Sequence, residues 1–373
     1  MMRKSRTEPY ISTYLHSKGR KLGLPISGTF ELTSRCNFNC PMCYVHMTND
    51  QIRESGKREL TAKEWLDIAK EAKDRGMIFV LLTGGEPLVR EDFFEIYQGM
   101  KSMGLYISIN TNGSLLKGEV LERFIADPPY RFNISLYGGS DETYQRMCGL
   151  PRYSEVIENI RKLKEAGIDV SLNLSITPYN CEDIEKIYKD AVELDVNVKA
   201  ASYMYPSIRV NGECYGESNR LTADEAARYA VLWDKIRFTD EEFRYRALNM
   251  SQLIAEREGC PVEADSGVTC RAGSCSFWMT WDGRMLPCGM MVEPVVYPMQ
   301  DGFNKAWDEL RRLTSLIRTP EKCTMCTYKE VCGVCASVCY CETGKFDEVS
   351  EYVCEKTKKT IEYMREYIKE EEK

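Results

Sequence analysis

Seventeen cysteines, in a chain with only two histidines, His16 and His46, are the residues here most able to do chemistry. Three stand together as C-x3-C-x2-C at Cys36, Cys40 and Cys43; Cys148, Cys181 and Cys214 are scattered; eleven crowd the stretch from Cys260 to Cys354. Closely spaced thiols in a reducing compartment chelate metal more readily than they pair as disulfides. A ligand set this rich in thiolate suits zinc or iron–sulfur clusters. Three thiols on one short loop can hold three corners of a 4Fe-4S cube and leave the fourth iron open, an arrangement for catalysis rather than structure. A structural zinc would need a fourth ligand, for which His46 or a distant cysteine is available. A second candidate is the run Thr83, Gly84, Gly85, Glu86, Pro87. Its two glycines let backbone approach a ligand closely, and its carboxylate can accept from an ammonium group.

These residues need a frame, and the sequence supplies one. Strand-like runs at 29–33, 77–82, 106–110, 131–136, 170–176 and 196–204 alternate with amphipathic segments at 61–75, 91–103, 115–125, 153–166 and 181–194. Thr61 and Glu64 form a capping box, and Gly76 closes that helix. Parallel strands need helical crossovers, so the alternation predicts a parallel α/β sheet, a partial (β/α)6 barrel of six units rather than eight. Both candidate loops then leave the carboxyl ends of adjacent strands, 1 and 2. The expected organisation is an N-terminal extension over 1–26, the partial barrel over 27–205, a bridge over 206–265, a small cysteine-rich domain over 266–356 and a C-terminal helix over 357–373. In that last helix Ile361, Met364 and Ile368 mark a docking face.

Length and charge narrow the function. At roughly 150 residues per domain, 373 residues suggest about two domains. Lys and Arg number 50 against 57 Asp and Glu, and the net charge of −7 offers no footprint for nucleic acid or a membrane surface. The N-terminus has no apolar core of a signal peptide, and no run reaches about 18 apolar residues, so a cytoplasmic location is expected.

The C-x3-C-x2-C loop after strand 1, joined to TGGEP after strand 2, resembles the radical S-adenosylmethionine (radical SAM) superfamily over about residues 27–204. The resemblance implies that Cys36, Cys40 and Cys43 hold a cluster whose open iron binds SAM, and that one electron cleaves SAM to a 5′-deoxyadenosyl radical that takes hydrogen from a substrate. It implies contacts of Gly84, Gly85 and Glu86 with the methionyl amine, of Ser135 and Arg146 with the carboxylate or ribose, and of Asn173 with the ribose. The family usually has an aromatic residue against adenine just before the third cysteine; here it is Met42, which can also pack on a ring. Asn110, Thr111, Asn112 and Gly113 line the same edge and read as a turn.

Cys270, Cys275 and Cys288, followed by CTMCTYKEVCGVC from Cys323, resemble the SPASM extension of radical SAM enzymes over about 270–354. That resemblance implies two auxiliary 4Fe-4S clusters, one on Cys270, Cys275, Cys288 and Cys335, the other on Cys323, Cys326, Cys332 and Cys354, three clusters in all. Two residues, where the pattern has three, separate Cys332 from the next cysteine, so Cys339 and Cys341 compete with Cys335. Enzymes of this kind mostly modify peptides or proteins, by crosslinking, epimerisation or oxidation, which implies a peptide or protein substrate and a low-potential electron donor of the flavodoxin or ferredoxin type. The chain resembles the sulfatase-maturing branch in length, but Gly289 stands where that branch carries an acid directly after the third upstream cysteine. The alternatives are a sulfatase-maturase-like enzyme, a small-molecule SPASM dehydrogenase, and a non-enzymatic multi-cluster electron carrier or zinc-held interaction module.

Overall fold

The computed structural model describes residues 9–257 and 267–371. Cys260 lies outside them. Six parallel strands, β1 (Ser27–Glu31), β2 (Phe79–Thr83), β3 (Tyr106–Thr111), β4 (Arg131–Ser135), β5 (Val170–Ser175) and β6 (Asn197–Ala201), stand in sequential order. Helices Ala62–Asp74, Phe93–Ser102, Gly118–Ala126, Tyr153–Glu165 and Ile184–Glu193 make the crossovers. This is the expected α/β partial barrel, with strand ends within a few residues of those predicted. The predicted capping box is present, Thr61 accepting from the N–H of Glu64 while Glu64 accepts from that of Thr61.

Two further strands extend the sheet. β7 (Ser276–Met279) pairs parallel with β1, Ser27 opposite Ser276, and β8 (Met285–Leu286) returns antiparallel to β7. The 266–356 segment therefore contributes core as well as thiols. Phe277 packs on Phe30, Phe303 and Trp307, the last two from the helix Phe303–Ser315, and all four are almost fully buried. Gly28 makes this joint possible, since a Cβ there would lie 2.6 Å from the Phe277 ring and 2.8 Å from the Met77 sulfur.

The helices Tyr10–Leu22, Asp141–Cys148 and Asp240–Glu256 were not expected from the sequence. The second is short and polar outside, begun by Ser140 accepting from the N–H of Thr143. The C-terminal helix, Glu351–Glu371, starts earlier than predicted and buries Ile361, Met364 and Ile368; the last two pack near Val231 and Phe243. Among the described residues no helix is long and apolar enough to cross a membrane.

Candidate active site

Beyond Glu31 the chain crosses the carboxyl edge of the sheet as the loop that carries Cys36, Cys40 and Cys43. It is zipped to the loop after β2. The N–H of Leu32 donates to Thr83 O at 2.8 Å, that of Gly85 to Thr33 O at 2.8 Å and that of Glu86 to Arg35 O at 2.9 Å. A Cβ on Gly84 would meet Thr33 O at 2.6 Å and one on Gly85 would meet Arg35 O at 2.4 Å. The glycines are thus required by the approach of the cysteine loop's own backbone. Arg90, whose side chain is buried, clamps the root of this loop by donating to Leu32 O and Leu60 O at 2.8 and 2.9 Å. Arg35 forks onto Glu59 at 2.9 and 3.0 Å.

The three thiols are half-buried. Backbone N–H groups of Phe38 and His46 point at the sulfurs of Cys36 and Cys43, each at 3.3 Å. Burial pushes the Cys36 thiol up to about 12 and raises Cys43, while a hydrogen bond with Cys148, then burial, raises Cys40. Buried thiols that resist ionisation alone are made thiolates by a cation, and N–H donors aimed at sulfur then favour the charged form. The donor set of this loop fits an iron–sulfur cluster, which Cys36, Cys40 and Cys43 would hold. Among the described residues no three Cys, His, Asp or Glu side chains converge on a single metal ion.

Glu86 is fully buried. Its carboxylate accepts from the Thr111 hydroxyl at 2.9 Å, the Asn112 N–H at 2.7 Å and the Leu88 N–H at 3.0 Å. Burial still raises it to about 7 against these donors. Asn112, which the sequence placed in a turn, donates to Asn37 at 2.8 Å and lies 3.9 Å from the Cys36 sulfur. Its signal was only its place after a third strand at the same edge.

Ser135 and Asn173 face each other across β4 and β5. Tyr137 is buried beside Ser135 and Cys40, and its burial raises the phenol well above its usual range. Met42 is half-buried against the core, whereas Arg146 is exposed on its helix, 3.4 Å from the Thr143 hydroxyl. The structure brings Ser135 and Asn173 together and turns Arg146 towards solvent.

Thiols also gather in the last third. Cys288 lies near Cys335 and Cys270, and its burial lifts it to about 11. Cys323, Cys326, Cys332 and Cys354 neighbour one another. Cys339 lies between the groups, near Cys323 and Cys335, while the Cys341 thiol donates to Met290 O at 3.1 Å. An open cavity of about 510 Å³ is lined by Cys270, Cys288, Trp278, Arg271 and Arg20, and Arg20 donates to Cys270 O at 2.5 Å.

Comparison with known proteins agrees with this fold. The Radical SAM superfamily profile matches residues 30–191. An AdoMet-dependent heme synthase of Methanosarcina barkeri (strain Fusaro / DSM 804) is 26% identical over 340 residues, 87% of this chain and 94% of the relative. A probable GTP 3′,8-cyclase of Saccharolobus solfataricus is 37% identical over 260 residues, 69% of this chain and 80% of the relative. Among solved structures, Streptococcus suis SuiB bound to its precursor peptide SuiA aligns with TM-score 0.64 at 17% identity, over 95% of this chain and 82% of that one. Native anSMEcpe with bound AdoMet aligns with TM-score 0.66 at 18% identity, over 92% and 98%.

Proposed function

The chain belongs to the radical SAM superfamily, and from that premise we propose that it abstracts hydrogen from a peptide or protein substrate in a post-translational modification. The observation that carries the radical chemistry is the zipping of the Cys36–Cys40–Cys43 loop to the Gly84–Glu86 loop at the carboxyl edge of the sheet. A 4Fe-4S cluster and SAM bound there would supply one-electron cleavage of SAM to methionine and a hydrogen-abstracting 5′-deoxyadenosyl group. The chain's own part is to hold and orient. Cys36, Cys40 and Cys43 hold the cluster. Gly84, Gly85 and Glu86 would shape the methionyl side, Met42 would lie towards adenine, and Ser135, Asn173 and Arg146 would receive ribose or carboxylate. Cys270, Cys275, Cys288 and Cys335, and separately Cys323, Cys326, Cys332 and Cys354, hold two auxiliary clusters of a SPASM-type domain. Electrons come from a low-potential flavodoxin- or ferredoxin-type donor, and thiols kept reduced suit the cytoplasm.

The peptide reading draws support from the shared fold with SuiB and anSMEcpe, both solved with peptides. A second reading, a small-molecule substrate, is favoured by the match to the heme synthase over almost its whole length. Deuterium transfer separates the two. A deuterated peptide encoded beside the gene should pass its label to 5′-deoxyadenosine; label transfer from a free metabolite alone, with such peptides inert, overturns the peptide reading.

A further inference from the structure

Three stretches distant in sequence meet at one buried ion pair. Glu31 ends β1, Arg209 lies in the short helix Ile208–Asn211, Trp278 belongs to β7 and Gly289 follows Cys288. Arg209 donates to both Glu31 oxygens, Nη2 at 2.7 Å and Nη1 at 2.9 Å, and Nη1 also reaches the Gly289 carbonyl at 2.9 Å. The Trp278 indole N–H gives Glu31 a third bond at 2.9 Å. The carboxylate side chain is 0% exposed and the guanidinium side chain 4%.

Gly289 is fixed as tightly as the charges. A Cβ at 289 would lie 2.7 Å from atoms of the Trp278 ring, so the indole fills the space of any side chain there. The carboxylate of this region comes instead from β1, five residues before Cys36. Arg209 also lines a small cavity of about 40 Å³ with Tyr44, the residue after Cys43. One guanidinium therefore touches the backbone beside Cys288 and borders the flank of the Cys36–Cys43 loop. A buried pair contributes little net stability against an apolar substitute, yet removing one partner is strongly destabilising, so its geometry is enforced once assembled. Bidentate arginine adds direction to that enforcement.

We propose that Arg209 is a positioning residue for Cys288: through Glu31 it ties the carbonyl after this thiol to the root of the Cys36 loop, so that the two cysteine sites keep one spacing. The inference rests on reading Cys270, Cys275, Cys288 and Cys335 as the holders of an auxiliary cluster. Groups that orient metal ligands from behind typically change metal retention when altered. Arg209→Lys keeps the charge but loses the fork. Wild type and variant are reconstituted anaerobically to about twelve irons and challenged with a chelator, following iron release and the EPR signals. The variant should lose about four irons at least about tenfold faster than wild type while the remainder leaves at the wild-type rate, and SAM should still alter the signal of the first cluster. Release from all sites accelerated alike, or none accelerated, overturns the proposal. A wild type that holds only about four irons removes the auxiliary reading and the proposal with it, a result distinct from twelve irons released alike. Should Arg209→Lys fail to accumulate, the double variant Glu31→Gln with Arg209→Met replaces the charges by neutral groups of similar size, with the same outcomes deciding.

Discussion

Glu86 shows how one residue can serve the site from within the protein. The resemblance to radical SAM enzymes implies a contact of Glu86 with the methionyl amine of SAM, and the structure gives both of its oxygens to Thr111, Asn112 and Leu88. Its carboxylate thereby joins the loop after β2 to the loop after β3, and Asn112 passes that order to Asn37 and Cys36. Because burial raises this carboxyl from 4.5 to about 7, the native state holds its proton more tightly than the unfolded chain does. Its contribution to stability is therefore fully present below about 4.5 and declines as pH rises through about 7. Glu86→Gln removes this titration. Between pH 4.5 and 8 wild type should lose stability relative to the variant by on the order of 3 kcal/mol, read from unfolding midpoints. Parallel pH profiles would show that the carboxyl does not titrate with folding. The sequence marked Glu86 through its motif, but not its partners, because Thr111 and Asn112 meet it only after β2 and β3 pair.

At the scale of elements, the site is made by two loops leaving neighbouring parallel strands. The strand-and-helix alternation made this legible: the amphipathic helix bounded by Thr61 and Gly76 is the crossover that sets β1 beside β2, and that adjacency brings the cysteine and glycine loops to one edge. Less legible were elements whose signals are weak locally. The helix Asp141–Cys148, which carries Arg146 and delivers Cys148 to Cys40, is polar outside and only eight residues long, and β8 has two residues. Gly85 tests the zipped pair of loops. Its substitution by Ala puts a Cβ 2.4 Å from Arg35 O, a backbone atom with no rotamer to move, so the cysteine loop must shift. Gly85→Ala should cost about 1–3 kcal/mol and reduce iron retained by the first cluster, visible as a weakened SAM-dependent EPR signal with the remaining iron unchanged. Wild-type signal and stability would mean the two loops are not held in this contact.

Across the whole molecule, the cysteine-rich segment is joined to the barrel by main chain and core together. β7 pairs with β1, Phe277 enters the aromatic cluster of the barrel, and the helix Glu351–Glu371 returns to the helix Ala223–Arg237, where Tyr352 donates to Leu221 O at 2.8 Å. This joint left little signal in the sequence, since β7 is four residues long and its core partners, Phe30 and Trp307, lie outside the strand's own stretch of chain. Gly28→Val tests the joint: crowding Phe277 and Met77 should cost about 1–3 kcal/mol and lower a single cooperative transition, whereas a separate early transition would indicate an independent unit. The account as a whole stands on the Cys36, Cys40 and Cys43 loop as the seat of radical chemistry. Anaerobically reconstituted protein given a strong reductant and SAM should form 5′-deoxyadenosine and methionine, and the triple change of Cys36, Cys40 and Cys43 to Ala should abolish this while sparing the remaining iron. Equal 5′-deoxyadenosine from the triple variant, or none from iron-loaded wild type, would contradict it.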